Sequence, residues 1–238
     1  MLYSVRMSVW RRIGDFVAGA TPAAFSNIIE SVRTVFEGDP ETRRQVAFSI
    51  AVIALSAKMA KADGVVTQDE IGAFREFFTV PEREAGNVAR IYNMAKGDVA
   101  GFVSYAQQVK ALFPGDRAIL EDVMDGLYHI AKADGVIHAK EQAFLDTIAD
   151  VFGIGEKSYE RIKLRHMEPE EGDPYELLEA SPKWDNDTLK AHYRQLVRQN
   201  HPDRLIARGV PPEFVAIANA RLAAINRAWA NIRLERGL

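Results

Sequence analysis

The 238-residue sequence predicts an all-α protein of two units, a helical bundle followed by a small helical hairpin. Two observations carry this. The string Ala60-Lys61-Ala62-Asp63-Gly64-Val65-Val66 recurs as Ala131-Lys132-Ala133-Asp134-Gly135-Val136-Ile137, with Glu70 and Glu141 at the same offset after each aspartate. Such self-similarity implies two copies of one supersecondary unit. Towards the C-terminus, a basic amphipathic helix runs into His201-Pro202-Asp203 and is followed by a second apolar helical run.

At the amino end, residues 8 to 20 place Trp10, Ile13, Phe16 and Val17 near one side of a helix, with Arg11 and Arg12 adjacent. Such a face can dock on the bundle or make a peripheral membrane contact. Asp39-Pro40 then starts the first helix of the repeat. Its window from Val46 to Ala57 is the most apolar of the chain, contains Ser49 and Ser56, and ends at Lys58. A bilayer span needs roughly 20 apolar residues, so this segment is too short and reads as the buried helix of the bundle.

Each copy of the repeat reads as helix, tight turn and helix. Gly64 and Gly135 suit the left-handed position after a helix end, with Val65 and Val136 folding back on that end. In the first copy the following helix carries Ile71, Phe74, Phe77 and Phe78 and breaks at Val80-Pro81. In the second, the preceding helix starts near Asp116, and the following one carries Phe144, Leu145, Ile148 and Val151 and breaks at Ile154-Gly155. The halves are expected to pack as a pseudo-twofold bundle. Asp63 and Asp134 should cap the second helix of each copy, and Thr67 to Glu70 forms a capping box. The second copy has His138 where Thr67 stands, so it should be unable to use that box.

The repeated K-A-D-G-V-[VI]-x-x-x-E pattern within residues 39–167 resembles the TerB-like domain, an all-helical fold named from tellurite-resistance proteins. The resemblance implies a divalent-metal site formed by Asp63, Glu70, Asp134 and Glu141. Hard cations want several converging oxygens, and the Asp-to-Glu spacing is not that of an EF-hand loop. Helix capping is the alternative use of the same four carboxylates.

A short acidic linker, Glu168 to Gly172, leads to Asp173-Pro174-Tyr175-Glu176-Leu177-Leu178, a short helix across the base of the hairpin. From Asp185, a suitable N-cap, Leu189, Tyr193, Leu196 and Val197 form one apolar stripe. Lys190, Arg194 and Arg198 form a second stripe roughly 100° around the same helix. Pro202 disfavours helical geometry at His201, so the helix should stop near Asn200 and leave the tripeptide in an exposed turn. Pro211-Pro212-Glu213 gives a rigid start to the last helix, whose Ala218, Leu222, Ile225, Trp229 and Ile232 match the first stripe.

Leu189 to Arg204 resembles the second helix and signature loop of the J domain of DnaJ-type co-chaperones. Asp173 to Leu178 resembles its first helix, and Ala223 to Trp229 the end of its third. The loop Ala207 to Glu213 resembles the DjlA-like branch. The resemblance implies that His201, Pro202 and Asp203 contact a DnaK-type seventy-kilodalton heat-shock chaperone and trigger its ATP hydrolysis. Lys190, Arg194 and Arg198 would face its acidic surface, with Tyr193 and Arg204 completing the partner-binding set. Asp203 would pair with a cation on the chaperone. The sequence departs from the family in carrying His192 for a small residue, Glu179 for glycine and Arg204 for lysine.

The expected division is therefore residues 1–38 as an N-terminal amphipathic segment, 39–167 as the TerB-like domain and 168–238 as the J domain. The net charge of −3 argues against nucleic-acid binding. The absence of cysteine excludes disulfides, thiol nucleophiles and Cys-x-x-Cys zinc modules. The five histidines, at 129, 138, 166, 192 and 201, show no metalloprotease spacing, and no nucleophile elbow or phosphate-binding glycine loop is present. The chain is thus not expected to be an enzyme, and no cofactor is expected beyond the divalent metal the first resemblance implies. The N-terminus lacks a secretory apolar core, which predicts a cytoplasmic address, with the cytoplasmic membrane face as the alternative. No Gly/Phe-rich tract follows the J segment, so client choice should come from the other domain. A metal- or membrane-stress sensing adaptor with an inactive or tethering J-like part is the alternative. The first reading needs His201-Pro202-Asp203 intact and exposed; the second is indifferent to it.

Overall fold

A computed structural model describes residues 9–19, 27–35, 39–61, 72, 74–75, 78, 80–97, 101–166, 172–211 and 215–238; these form helices and turns with no strand among them. In the N-terminal bundle, α1 (Val9–Gly19) and α2 (Ile28–Val35) lie on α3 (Pro40–Ala60), which is further surrounded by α4 (Ala85–Gly97), α5 (Phe102–Leu112) and α6 (Arg117–Ala131). The bundle closes with α7 (Ala139–Phe152) and α8 (Glu156–Arg165).

Local chemistry places the start of α3. Asp39 accepts the Thr42 amide at 2.9 Å, and Pro40 fills the first helical position, where no amide is needed. Every residue from Val46 to Ala57 is then buried, because helices pack on all sides. Ser49 and Ser56 donate to the Gln45 and Val52 carbonyls one turn back, so neither hydroxyl is left unmet in the core.

Residues Val9, Trp10, Ile13, Phe16 and Val17 of α1 are all buried, with α1 packed on α3 and α4. The apolar face within residues 8 to 20 is therefore spent on the bundle, which corrects the membrane-contact alternative for that face. No helix among the described residues is long and apolar enough to cross a membrane.

The second copy of the repeat departs from its expected turn. Gly135 adopts φ +93°, as a left-handed position requires, but α6 already ends at Ala131 and Lys132 caps it. Asp134 accepts the Val136 amide at 3.1 Å instead of capping the next helix, whose N-cap is His138. That Asx-type turn points Val136 outward, 59% exposed, while Ile137 packs on the core. The capping box also survives in part. Glu141 accepts the His138 amide at 2.9 Å, and this half of the box needs no hydroxyl at the N-cap. The corresponding residues of the first copy, 62–71, and Phe77 lie outside the described residues. Phe74 and Phe78 are buried with ring centroids 4.6 Å apart.

The C-terminal hairpin comprises α9 (Pro174–Leu177), α10 (Asn186–Gln199), α11 (Pro202–Ala207) and α12 (Val215–Arg236). Asp173 and Asp185 cap α9 and α10 by accepting the Tyr175 and Thr188 amides at 2.8 and 2.7 Å. Tyr175, Leu178, Leu189, Ile225, Ala228, Trp229 and Ile232 form a core of their own, against which Tyr193, Leu196 and Val197 are half-buried. Two departures from the family pattern find a use here. The His192 ring nitrogen lies 2.7 Å from the Leu178 carbonyl at the end of α9. Glu179 stands at φ +54°, where glycine is favoured, and its carboxylate pairs with Arg161 of α8 across the domain boundary.

The opposite end of the hairpin has no separate core. Leu205, Val210, Ile217 and Ala218 belong to the core of the bundle, and α12 packs along α6.

Candidate functional site

The site is built at the end of α10. Asn200 closes that helix, its side-chain nitrogen donating to the Leu196 carbonyl at 2.8 Å. His201 then becomes the N-cap of α11, and Pro202 occupies its first position. The expected exposed turn is therefore a direct passage between two helices, because the proline that ends one helix suits the start of the next. The His201 Nδ1 accepts the Asp203 amide at 3.3 Å and lies 3.5 Å from the Asp203 carboxylate. Both side chains remain open, His201 at 53% and Asp203 at 83%.

Arg194, Arg198 and Arg204 are exposed and Lys190 is half-buried. None of the four is in an ion pair among the described residues, so their charge is available to a partner. Tyr193 turns the other way: its ring stacks on Trp229 with centroids 4.8 Å apart, and its hydroxyl donates to Asn226 at 3.0 Å. It stiffens the helix that carries the cationic stripe.

Behind this surface lies a set of residues that the sequence reading missed. Arg221 of α12, 7% exposed, donates from Nε to Asp125 of α6 at 2.9 Å. Its terminal nitrogens pair with Asp122 and Asp125 and reach the Asn200 side-chain oxygen at 3.4 Å. Arg165 at the end of α8 pairs with the same Asp125 at 2.5 Å, and His166 lies 3.3 Å from its other oxygen. Burial pushes the Asp122 carboxyl up to about 6, against the pull of Arg221. Burial alone would raise Asp125 too, but Arg165 and Arg221 together hold it below the usual carboxylate range. The signal in the sequence was a cation within the apolar seam Ile217, Ala218, Arg221, Ile225 and Ala228. Between the domains a cleft of about 340 Å³ is lined by Glu121 and Arg161 on one side and His201, Arg204 and Arg208 on the other.

Of the carboxylates expected to hold a metal, the two described ones have other uses. Asp134 is engaged in its own turn and with His138, and Glu141 is engaged at the start of α7. Asp63 and Glu70 lie outside the described residues. Among the described residues there is no group of three or more side chains able to hold a metal ion. The described half of the set does not make a donor set for a hard cation by itself.

Residues 49–164 match the family described as Tellurite resistance protein TerB. Co-chaperone protein DjlA of Shewanella oneidensis is 27% identical over 232 residues, covering 91% of this chain and 85% of that protein. The protein of the same name from Vibrio parahaemolyticus is 26% identical over 233 residues, 84% of this chain and 82% of the relative. That of Escherichia coli is 23% identical over 224 residues, with shares of 83% and 82%. The chain is a TerB-like domain fused to a DjlA-like J domain. No solved structure matches it. These similarities run across both the bundle and the hairpin of this chain, and the cluster around Arg221 lies where the two meet.

Proposed function

We propose that the protein is a co-chaperone that stimulates ATP hydrolysis and client capture by a DnaK-type heat-shock chaperone. The observation that carries the reading is the exposed pair His201 and Asp203, placed at the end of a helix whose Lys190, Arg194 and Arg198 are free of ion pairs among the described residues. A partner with an acidic face is steered to such a stripe by complementary charge, and the short-range contacts at the tripeptide then set specificity. The ATPase chemistry belongs to the partner. The names of the relatives support the same reading.

The test is single-turnover ATP hydrolysis by the DnaK-type chaperone of the same organism, with wild-type protein, His201→Gln and Asp203→Asn. Stimulation by wild type and its loss in both variants is the expected result. Equal stimulation by the variants, or none by folded wild type, would reject the reading. Neither substitution touches a buried group, so both variants should fold normally.

A further inference from the structure

The geometry points to Arg221 as a positioning residue for His201-Pro202-Asp203, anchored by Asp122 and Asp125 so that the TerB-like domain acts as part of the J domain's working end. The effect on ATP hydrolysis rests on the co-chaperone reading above; the positioning itself does not.

Three features converge on the tripeptide. The first is the chain of contacts from the bundle to its leading edge. The guanidinium of Arg221 spans both carboxylates of α6 and the side chain of Asn200, the residue directly before His201. A planar fork with five donors can make these contacts together; an ammonium cannot.

The second feature holds the trailing edge. Leu205, four residues after His201, and Val210 are buried in the shared core. Arg208 lies 3.7 Å from Asp116 at the start of α6. Gly209 adopts φ +88° and faces α3 so closely that a β-carbon there would meet the Glu41 carboxylate and the Arg44 guanidinium. Both the backbone conformation and the space at Gly209 call for glycine. The tripeptide is thus the short exposed arc between two anchors on the TerB-like domain.

The third feature is the weakness of the J domain's own hold on this arc. Its separate core, centred on Leu189 and Trp229, ends before the tripeptide. The J-domain side chains that hold His201, Arg221 before it and Leu205 and Arg208 after it, are themselves anchored on the other domain.

Full-length Arg221→Lys, Arg221→Met and Asn200→Ala, compared with wild type, test this. Asn200→Ala removes the last link without leaving a buried charge but also removes the bond to the Leu196 carbonyl, so it is read together with Arg221→Lys, which keeps that bond, if Arg221→Met unfolds. Amide hydrogen exchange, read without any partner, is expected to lose about tenfold or more in protection at Asp203 and Arg204, with the middle of α10 unchanged. In single-turnover ATP hydrolysis with the DnaK-type chaperone, maximal stimulation should fall about tenfold from misplacement of the contact. The half-saturating concentration should stay within about twofold, because the cationic stripe of α10 is untouched. Folded Arg221→Lys and Asn200→Ala with wild-type protection would overturn the inference. So would wild-type maximal stimulation in both. Absence of stimulation by wild type would instead overturn the co-chaperone reading, while the exchange data still decide the positioning.

Discussion

At the outer end of the J domain, Tyr175, Leu178, Leu189 and Trp229 pack among themselves, whereas at the end bearing His201 the residues Leu205, Val210, Ile217 and Ala218 are covered by the TerB-like bundle. Fully burying a large aliphatic side chain is worth about 1.5–3 kcal/mol. Leu205, Val210 and Ile217 would forfeit most of that gain if the hairpin stood alone. The difference teaches that the domain boundary drawn along the chain is not the boundary of the cores. One end of the J domain is self-sufficient, and the end that carries its signature is a joint structure.

The largest effects should come from breaking each end separately. Asp125→Asn leaves Arg165 and Arg221 short of a buried counter-charge, which typically costs about 3–5 kcal/mol. Trp229→Ala removes the ring that stacks on Tyr193 and should cost a similar amount, about 3–5 kcal/mol. Urea unfolding measures both, and hydrogen exchange tells them apart. Asp125→Asn is expected to loosen α6, the end of α8 and the first half of α12 together. Trp229→Ala should loosen α9, α10 and the second half of α12 while sparing the bundle. The same exchange pattern in both variants would erase the distinction between the two ends.

A somewhat smaller effect follows from Asp122 and is specific to the joint end. Its carboxyl sits at about 6 in the fold against an ordinary 3.8, so the folded state holds that proton more tightly than the unfolded chain does. The contribution is fully present below about pH 3.8 and is lost as pH rises through about 6, roughly 3 kcal/mol in all. Asp125 has the opposite sign: its value is depressed, so its contribution is present at neutral pH and is lost only in strong acid. Asp122 and Asp125 therefore pull the slope in opposite directions and at different ends of the pH range, and Asp122→Asn removes the Asp122 part alone. Urea midpoints measured between about pH 4 and pH 6.5 should show a downward contribution to the slope in wild type that is missing in Asp122→Asn. An unchanged slope would place the proton elsewhere.

The same contrast explains what could be read from the sequence. Features set within a few residues were legible: the helix starts at Asp39-Pro40 and Asp173-Pro174, the cap at Asp185, the stripe of α10, and the end of that helix before Pro202. The apolar face of α1 was legible too, but what covers it was not, since that is decided by α3 and α4. Val136 was misread because two local preferences compete there, and the Asx-type turn at Asp134 prevails over the fold-back onto the helix end. Arg221 and Asp125 stand 96 residues apart, and no local pattern couples them. A buried cation in an apolar seam signals that a partner exists without naming it.

The smallest expected effect is at Glu179, where backbone strain and an interdomain ion pair oppose each other. A non-glycine residue at positive φ costs about 1 kcal/mol. The pair with Arg161 returns about 0–1 kcal/mol, since the glutamate is 53% exposed and solvent screens it. Glu179→Gly relieves the strain and loses the pair, so its stability should lie within about 1 kcal/mol of wild type. Glu179→Ala keeps the strain and loses the pair, so it should be the less stable variant by about 1 kcal/mol. Urea unfolding of the three proteins at low and at high salt separates the terms, because only wild type carries the screenable pair with Arg161 and the other ion pairs are common to all three. If glycine and alanine were equally stable, the left-handed turn would cost nothing. If wild type showed no more salt dependence than either, the pair with Arg161 would be a contact without weight, and the joint end would rest on the buried cluster and the shared core alone.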